Sequence, residues 1–246
     1  VRSRVVAPLL AAVLGIGGGV TTALVVDDGG GDEPAASSFN DPLHLRIPQV
    51  DQADCTGQAL LIVGYGDTAA PLSNAVANAS SSKGLRYLRT DSSCPTVMGP
   101  EGKDPPKYAV YRGPYDSKQD PCEVRMSGTE VNSFVTVLSS GNEQLVKCPC
   151  EIPSSEAPAL ELGMAVTTES KVWVRALQAM FSDDAQLHPQ RGAFPGDQIT
   201  GIFDDPTSAR VAEYQDDAPG QVTERGAVDT ATWSLLTLRL CRNYEY

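Results

Sequence analysis

Gly201-Ile202-Phe203-Asp204-Asp205-Pro206-Thr207 and Gly226-Ala227-Val228-Asp229-Thr230-Ala231-Thr232 are two copies of one phrase, Gly-x-(Phe/Val)-Asp-x-x-Thr, set 25 residues apart near the C-terminus. Each copy spells the start of a helix. An Asp at the cap position offers its carboxylate to the exposed N–H groups of the first turn, and a Thr three places on can return a hydrogen bond. The Gly ahead of it permits the tight turn into the cap, and Phe203 or Val228 stands where a staple residue packs back on the helix. Apolar stripes follow at helical spacing: Val211 and Tyr214 after the first copy, Trp233, Leu236 and Leu240 after the second. Upstream, Ser170 is the expected cap of a third helix, with Trp173, Leu177 and Met180 facing inward and Val174 and Phe181 flanking them. The spacing therefore predicts an all-α bundle of three short helices over residues 158–246.

In these phrases the chain resembles the peptidoglycan-binding-like module found in cell-wall hydrolases and wall-anchored proteins. The resemblance runs from about Pro158 to Cys241: Val174-x-x-Leu177-Gln178, Thr200-Gly201-x-Phe203-Asp204-x-x-Thr207, Val211-x-x-Tyr214-Gln215, then Gly226-x-Val228-Asp229-x-x-Thr232-Trp233-x-x-Leu236. Tyr214 stands where the family often has Phe, and the stretch from Phe181 to Thr200 is longer and richer in Pro and charge than usual. The resemblance implies peptidoglycan as the partner, through its glycan strands or its stem peptides. Capping, turning and packing account for Gly201, Asp204, Thr207, Gly226, Asp229, Thr232 and Trp233 without a ligand. Gln178, Gln215 and Tyr214 are the candidate contacts, because amide and phenol groups hydrogen-bond neutral polar ligands and a ring can cover a sugar face.

Val5 to Val26 are 22 consecutive uncharged positions, long enough as a helix to cross a bilayer core of about 30 Å. With Arg2 and Arg4 before the run and Asp27 and Asp28 after it, the positive-inside rule places residues 1–4 in the cytoplasm and everything after residue 26 outside. The expectation is a single-pass membrane anchor over 5–26; a cleaved secretory signal is the alternative and would leave the rest secreted. Residues 27–52 read as a flexible spacer, since Asp27 to Asn40 is chiefly Gly, Asp, Pro, Ala and Ser.

In an exported chain, Cys55, Cys94, Cys122, Cys148, Cys150 and Cys241 suggest disulfides rather than a metal centre. Cys148-Pro149-Cys150 is too short and stiff to close on itself, so each partner is expected elsewhere. One use would tie Cys241, at the end of the last helix, to Cys148 or Cys150.

Residues 53–150 change from helical spacing to alternation, a middle domain of α+β class. Ala59 to Val63, Leu85 to Leu88, Tyr108 to Tyr111 and Phe134 to Leu138 read as strands; Pro71 to Ala79 and Ser117 to Arg125 read as helices between them. This β-α-β-β-α-β order, with Tyr111-Arg112-Gly113-Pro114-Tyr115 leading from strand to helix, looks like a SPOR-type domain over about Gln58 to Ser139. That likeness implies a ferredoxin-like sheet that binds glycan strands, and it singles out Tyr111, Arg112 and Tyr115. The insertion from Ser92 to Pro106 departs from the family pattern. A ferredoxin-like sheet without ligand duty is the other reading.

Histidine occurs twice, at His44 and His188, too few for a zinc amidase or a His-dependent nucleophile, and Gly-x-Ser-x-Gly and His-Glu-x-x-His are missing. No cofactor and no metal are expected. A net charge of −12 excludes nucleic acid as a partner and leaves hydrogen bonds and stacking to hold a wall polymer. The expectation is a membrane-anchored, extracytoplasmic wall binder that is not an enzyme. Two rivals stand beside it: a regulatory ectodomain that recruits or restrains a cell-wall enzyme, and a glycan hydrolase with an unrecognised carboxylate pair among 31 Asp and Glu.

Overall fold

A computed structural model describes residues 39–97, 106–141, 145–188, 190, 192–218 and 224–241. The expected cytoplasmic tip, the anchor over 5–26 and the spacer as far as residue 38 lie outside them. Among the described residues no helix is long and apolar enough to cross a membrane.

The described residues form one compact unit. Its sheet holds β1 (Gln49–Val50), β2 (Ala59–Gly66), β3 (Leu85–Arg89), β4 (Tyr108–Tyr115) and β5 (Phe134–Val137) in the order β1-β3-β4-β2-β5. Every pairing is antiparallel except β1 with β3, which makes the five-stranded sheet mixed. Helix α1 (Ala69–Asn78) connects β2 to β3, and α2 (Gln119–Met126) connects β4 to β5. The chain thus runs β-α-β-β-α-β, and each β-α-β half brackets a strand from the other, a split β-α-β arrangement.

Both helices cover the same sheet face. Leu72 of α1 is buried with Leu85, Tyr87 and Val110, while Cys122 and Met126 of α2 are buried with Ala59, Leu61 and Val135. Strand β2 runs three residues past Val63 because Gly64 lets α1 approach: a Cβ there would stand 2.6 Å from Ala75 Cβ. β4 likewise continues through Gly113-Pro114 to Tyr115, a stretch that the sequence suggested would turn into the next helix.

Part of the expected spacer is ordered. Asp41 accepts hydrogen bonds from Leu45 N at 2.9 Å, Arg46 N at 2.7 Å and the Tyr87 hydroxyl at 3.0 Å, and Leu45 and Ile47 are buried before β1 adds to the sheet edge. A low-hydrophobicity composition describes Asp27 to Ser38 better than the apolar positions that follow.

Beyond the sheet, a short α3 (Cys148–Glu151) leads to α4 (Thr168–Leu187), α5 (Asp205–Asp216) and α6 (Thr230–Leu240). α4 is longer than the short helix expected, and its cap is Thr167 rather than Ser170. Thr167 Oγ1 accepts from Ser170 N at 3.0 Å while Ser170 Oγ accepts from Thr167 N at 2.8 Å, a reciprocal capping box. Trp173 meets Trp233 edge to face with centroids 5.3 Å apart, and Trp233 Nε1 donates to the Pro158 carbonyl at 2.7 Å. One continuous core runs from Ala59, Leu61 and Val135 on the sheet through Cys148 and Ile152 to Trp173, Leu177, Val211 and Leu236.

The six cysteines form three disulfides: Cys55–Cys94, Cys122–Cys148 and Cys150–Cys241. The Cys-Pro-Cys pair sends one bond back to α2 and the other to the end of α6, so the sheet and the helices are joined covalently as well as through the core. Such a framework fits an extracellular protein.

Candidate functional site

The duplicated phrase folds into two equivalent loop locks. In the first, Asp204 caps α5 by accepting from Thr207 N at 3.1 Å, and the Thr207 hydroxyl donates to the same carboxylate oxygen. Gln178, one helix away on α4, closes the loop from behind: its Oε1 accepts from Gly201 N at 2.9 Å, and its Nε2 donates to the Ile202 carbonyl at 3.0 Å and to Thr207 Oγ1 at 2.9 Å. In the second lock Asp229 caps α6 through Thr232 N at 2.7 Å. Gln215 on α5 accepts from Gly226 N at 2.7 Å and donates to the Ala227 carbonyl at 2.8 Å and to Thr232 Oγ1 at 3.1 Å. The Thr hydroxyl is the hinge of each lock, since it can donate one hydrogen bond and accept another. Gly201, at φ +78, lies where an added Cβ would stand 3.0 Å from the Lys171 carbonyl, so the phrase needs glycine there.

These locks determine where the sequence-predicted contact residues stand. Gln178 is fully buried and Gln215 is 2 % exposed, and both amides are engaged by loop backbone and Thr. A ligand would have to displace the loop to reach them. Tyr214 is also buried: its ring stacks on Phe181 with centroids 5.4 Å apart, and its hydroxyl donates to Asp184. Interior duty, rather than surface recognition, is the position of all three. Phe203 and Val228 are buried as the staple geometry requires, and Trp233 is core.

Tyr111, Arg112 and Tyr115 do not share a face. Tyr111 lies buried on the sheet side away from the helices, where burial raises its phenol pKa. Arg112 and Tyr115 point to the helix side. Arg112 is a clamp: its Nη2 pairs with Glu130 at 2.9 Å, its Nη1 donates to the Lys83 carbonyl at 2.6 Å and its Nη2 also reaches the Ser81 carbonyl. Glu130 in turn accepts from the Ser80 hydroxyl at 2.8 Å. Tyr115 is half-buried against the core, and desolvation raises its pKa. A bulge between Ala59/Leu61 and their β4 partners places Arg112 and Tyr115, three residues apart, on one side.

The other sheet face carries a plug from the sequence insertion. Cys94, tied to Cys55, and Val97 pack on Leu60, Ile62, Leu88 and Tyr111, and Thr96 accepts from Ser139 N at 3.2 Å. Tyr65 donates to the Val97 carbonyl at 2.8 Å, and burial pushes its pKa well up. An open glycan-binding sheet face is therefore not presented at these residues.

Two buried carboxylates, Glu130 and Asp184, were not singled out by sequence, because among so many acidic residues nothing local marks an acid that will be enclosed. Among the described residues no group of three His, Cys, Asp or Glu side chains could hold a metal ion. No protein-family model matches the chain, and neither a curated protein nor a solved structure was found to match it.

Proposed function

We propose that the chain is an exported protein that binds cell-wall peptidoglycan from the membrane and carries out no reaction of its own. The observation that carries this is the pair of loop locks. Each fixes the Gly-to-Asp loop from behind by a buried glutamine, so that the outer side, with Ile202 51 % exposed and Thr200 and Asp205 beside it, is rigid before any ligand arrives. A rigid surface loses little conformational entropy on binding, which suits recognition of a neutral polymer by hydrogen bonds and apolar contact. The three disulfides support export, and the split β-α-β sheet supports the SPOR-like reading of the middle segment. With Gln178, Gln215 and Tyr214 inside, contact falls to the outer loop surfaces, and Tyr115 is one of the half-exposed aromatics of the sheet.

Dye-labelled wall tests both halves of the proposal at once. The chain should sediment with the wall while the supernatant gains no dye. Dye release would identify a hydrolase; a folded chain left in the supernatant would favour the regulatory ectodomain that recruits a wall enzyme.

A further inference from the structure

The stretch from Phe181 to Thr200, set apart by its length and its prolines, builds a pocket that the loop locks do not use. Its outer wall is held from two helices. Phe194 is 4 % exposed, meets Phe181 of α4 edge to face with centroids 5.7 Å apart, and has the Arg210 guanidinium of α5 over its ring at 5.9 Å. Arg210 Nη2 also donates to the Gly192 and Ala193 carbonyls at 3.2 and 3.3 Å. A 3-10 turn over Gly196–Gln198 continues the wall, with Gln198 N donating to the Pro195 carbonyl at 2.9 Å. The wall therefore keeps its shape without a ligand.

Between it and the last turns of α4 lies a pocket of about 210 Å³. Ser182, Ala185 and Gln186 line it from the helix, and the segment from Ala193 to Gly196 lines it from the wall. Small residues make the space: a Cβ built on Gly196 would meet no atom within 4 Å. The Ser182 hydroxyl and the Gln186 amide, four residues apart and so on one helix face, have no hydrogen-bond partner among the described residues. Together they offer O–H and N–H donors and a carbonyl acceptor. An apolar lining with a few polar groups that fix orientation is the character of a small-ligand site. The volume is below the roughly 300–1,000 Å³ that encloses a whole drug-sized ligand, so the pocket suits one substituent of a larger molecule.

No charged side chain lines the pocket. Asp183, paired with Lys147 at 3.0 Å, and Asp197 adjoin its lining residues in a chain of net charge −12, which disfavours a carboxylate-bearing peptide end. The group that fits is small and neutral, with a methyl for Ala185 and Phe194 and an amide for Ser182 and Gln186.

We propose that this pocket takes the acetamido group of an N-acetylated amino sugar. The proposal rests on the wall-binding reading only for the source of that sugar, a wall glycan strand.

Saturation-transfer NMR on the full folded chain tests it, with N-acetylglucosamine, glucose and D-alanyl-D-alanine in separate arms. Saturable transfer is expected to N-acetylglucosamine, strongest at the acetamido methyl, and none to glucose or the dipeptide. Ala185→Leu fills the pocket from a helix position that accepts leucine; it should melt like the parent and lower the apparent affinity about tenfold or more. Gln186→Ala, at an exposed position, should also melt like the parent and weaken binding about fivefold, the net worth of one hydrogen bond. No transfer to the acetamido methyl, equal transfer to glucose, transfer to the dipeptide alone, or parental affinity in both variants overturns the proposal. A chain that pellets with sacculi but shows no transfer refutes the pocket and leaves the wall reading standing; transfer without pelleting supports the pocket and refutes the wall reading.

Discussion

Gln178 and Gln215 hold the same place in two copies of one device: each side-chain carbonyl takes the N–H of a loop glycine, Gly201 or Gly226, and each amide N–H₂ reaches the Thr three residues beyond the helix cap, Thr207 or Thr232. The cap is local chemistry, and the glutamine is the long-range contact that seats the whole loop on the preceding helix.

Replacing either glutamine by Ala leaves a buried glycine N–H, a carbonyl and a Thr hydroxyl without their partner. The expected loss is about 2–4 kcal/mol, from roughly 1–3 kcal/mol for each group left unsatisfied, part of it recovered by water. Gln178→Glu should also destabilise, since a carboxylate keeps the bond from Gly201 but cannot donate to Ile202 or Thr207. Urea unfolding at pH 7 measures both; a loss below about 0.5 kcal/mol for Gln178→Ala would mean that the lock contributes nothing beyond a surface substitution.

Asp204→Ala and Asp229→Ala each remove a cap and should cost about 0.5–2 kcal/mol. Their effect on wall sedimentation should be nil while they remain folded. A variant that melts like the parent but no longer sediments would show that the carboxylate meets the ligand instead.

Gly201→Ala combines a left-handed backbone angle with a collision against the Lys171 carbonyl, whereas Gly163 has the same φ of +78 and open space around it. Gly163→Ala should cost about 1 kcal/mol for the angle alone, and Gly201→Ala clearly more. Equal melting temperatures for the two variants would contradict the close approach.

The disulfide Cys150–Cys241 closes the longest loop, with a sequence separation of 91. Replacing both by Ser should lower stability by about 4.6 kcal/mol on the chain-entropy argument, measured by urea unfolding.

Tyr87 gives a base-sensitive signature. Burial first, then the hydrogen bond to Asp41, push its phenol up to about 12 from the ordinary 10.0. A pKa raised on folding stabilises fully below 10.0 and is lost as pH climbs from there towards 12. Tyrosinate absorbance should therefore lag behind that of exposed tyrosines and rise together with unfolding. Tyr87→Phe should unfold at higher pH than the parent while losing about 1 kcal/mol at pH 7 with the bond to Asp41.

The helix starts were legible because a cap is a contact within four residues: Asp204, Asp229 and the apolar stripes behind them could be read directly. The strands and their connecting helices were legible through alternation. What remained hidden was what distant residues do to one another. Gln178 reads as a polar group on an amphipathic helix until Gly201 and Thr207 surround it, and Tyr111 reads as a binding aromatic until Cys94 and Val97 cover it. A bulge in β4, where the three steps from Arg112 to Tyr115 face two from Leu61 to Ala59, decides that both side chains face the helices, and it has no local signal in the sequence.

The most direct measurement is a sedimentation isotherm of the full folded chain against rising amounts of purified sacculi, with soluble wall fragments as competitor. The proposed function predicts saturable pelleting that the fragments reverse. A chain that stays in the supernatant at every sacculus concentration, with its circular dichroism that of the folded protein, contradicts it.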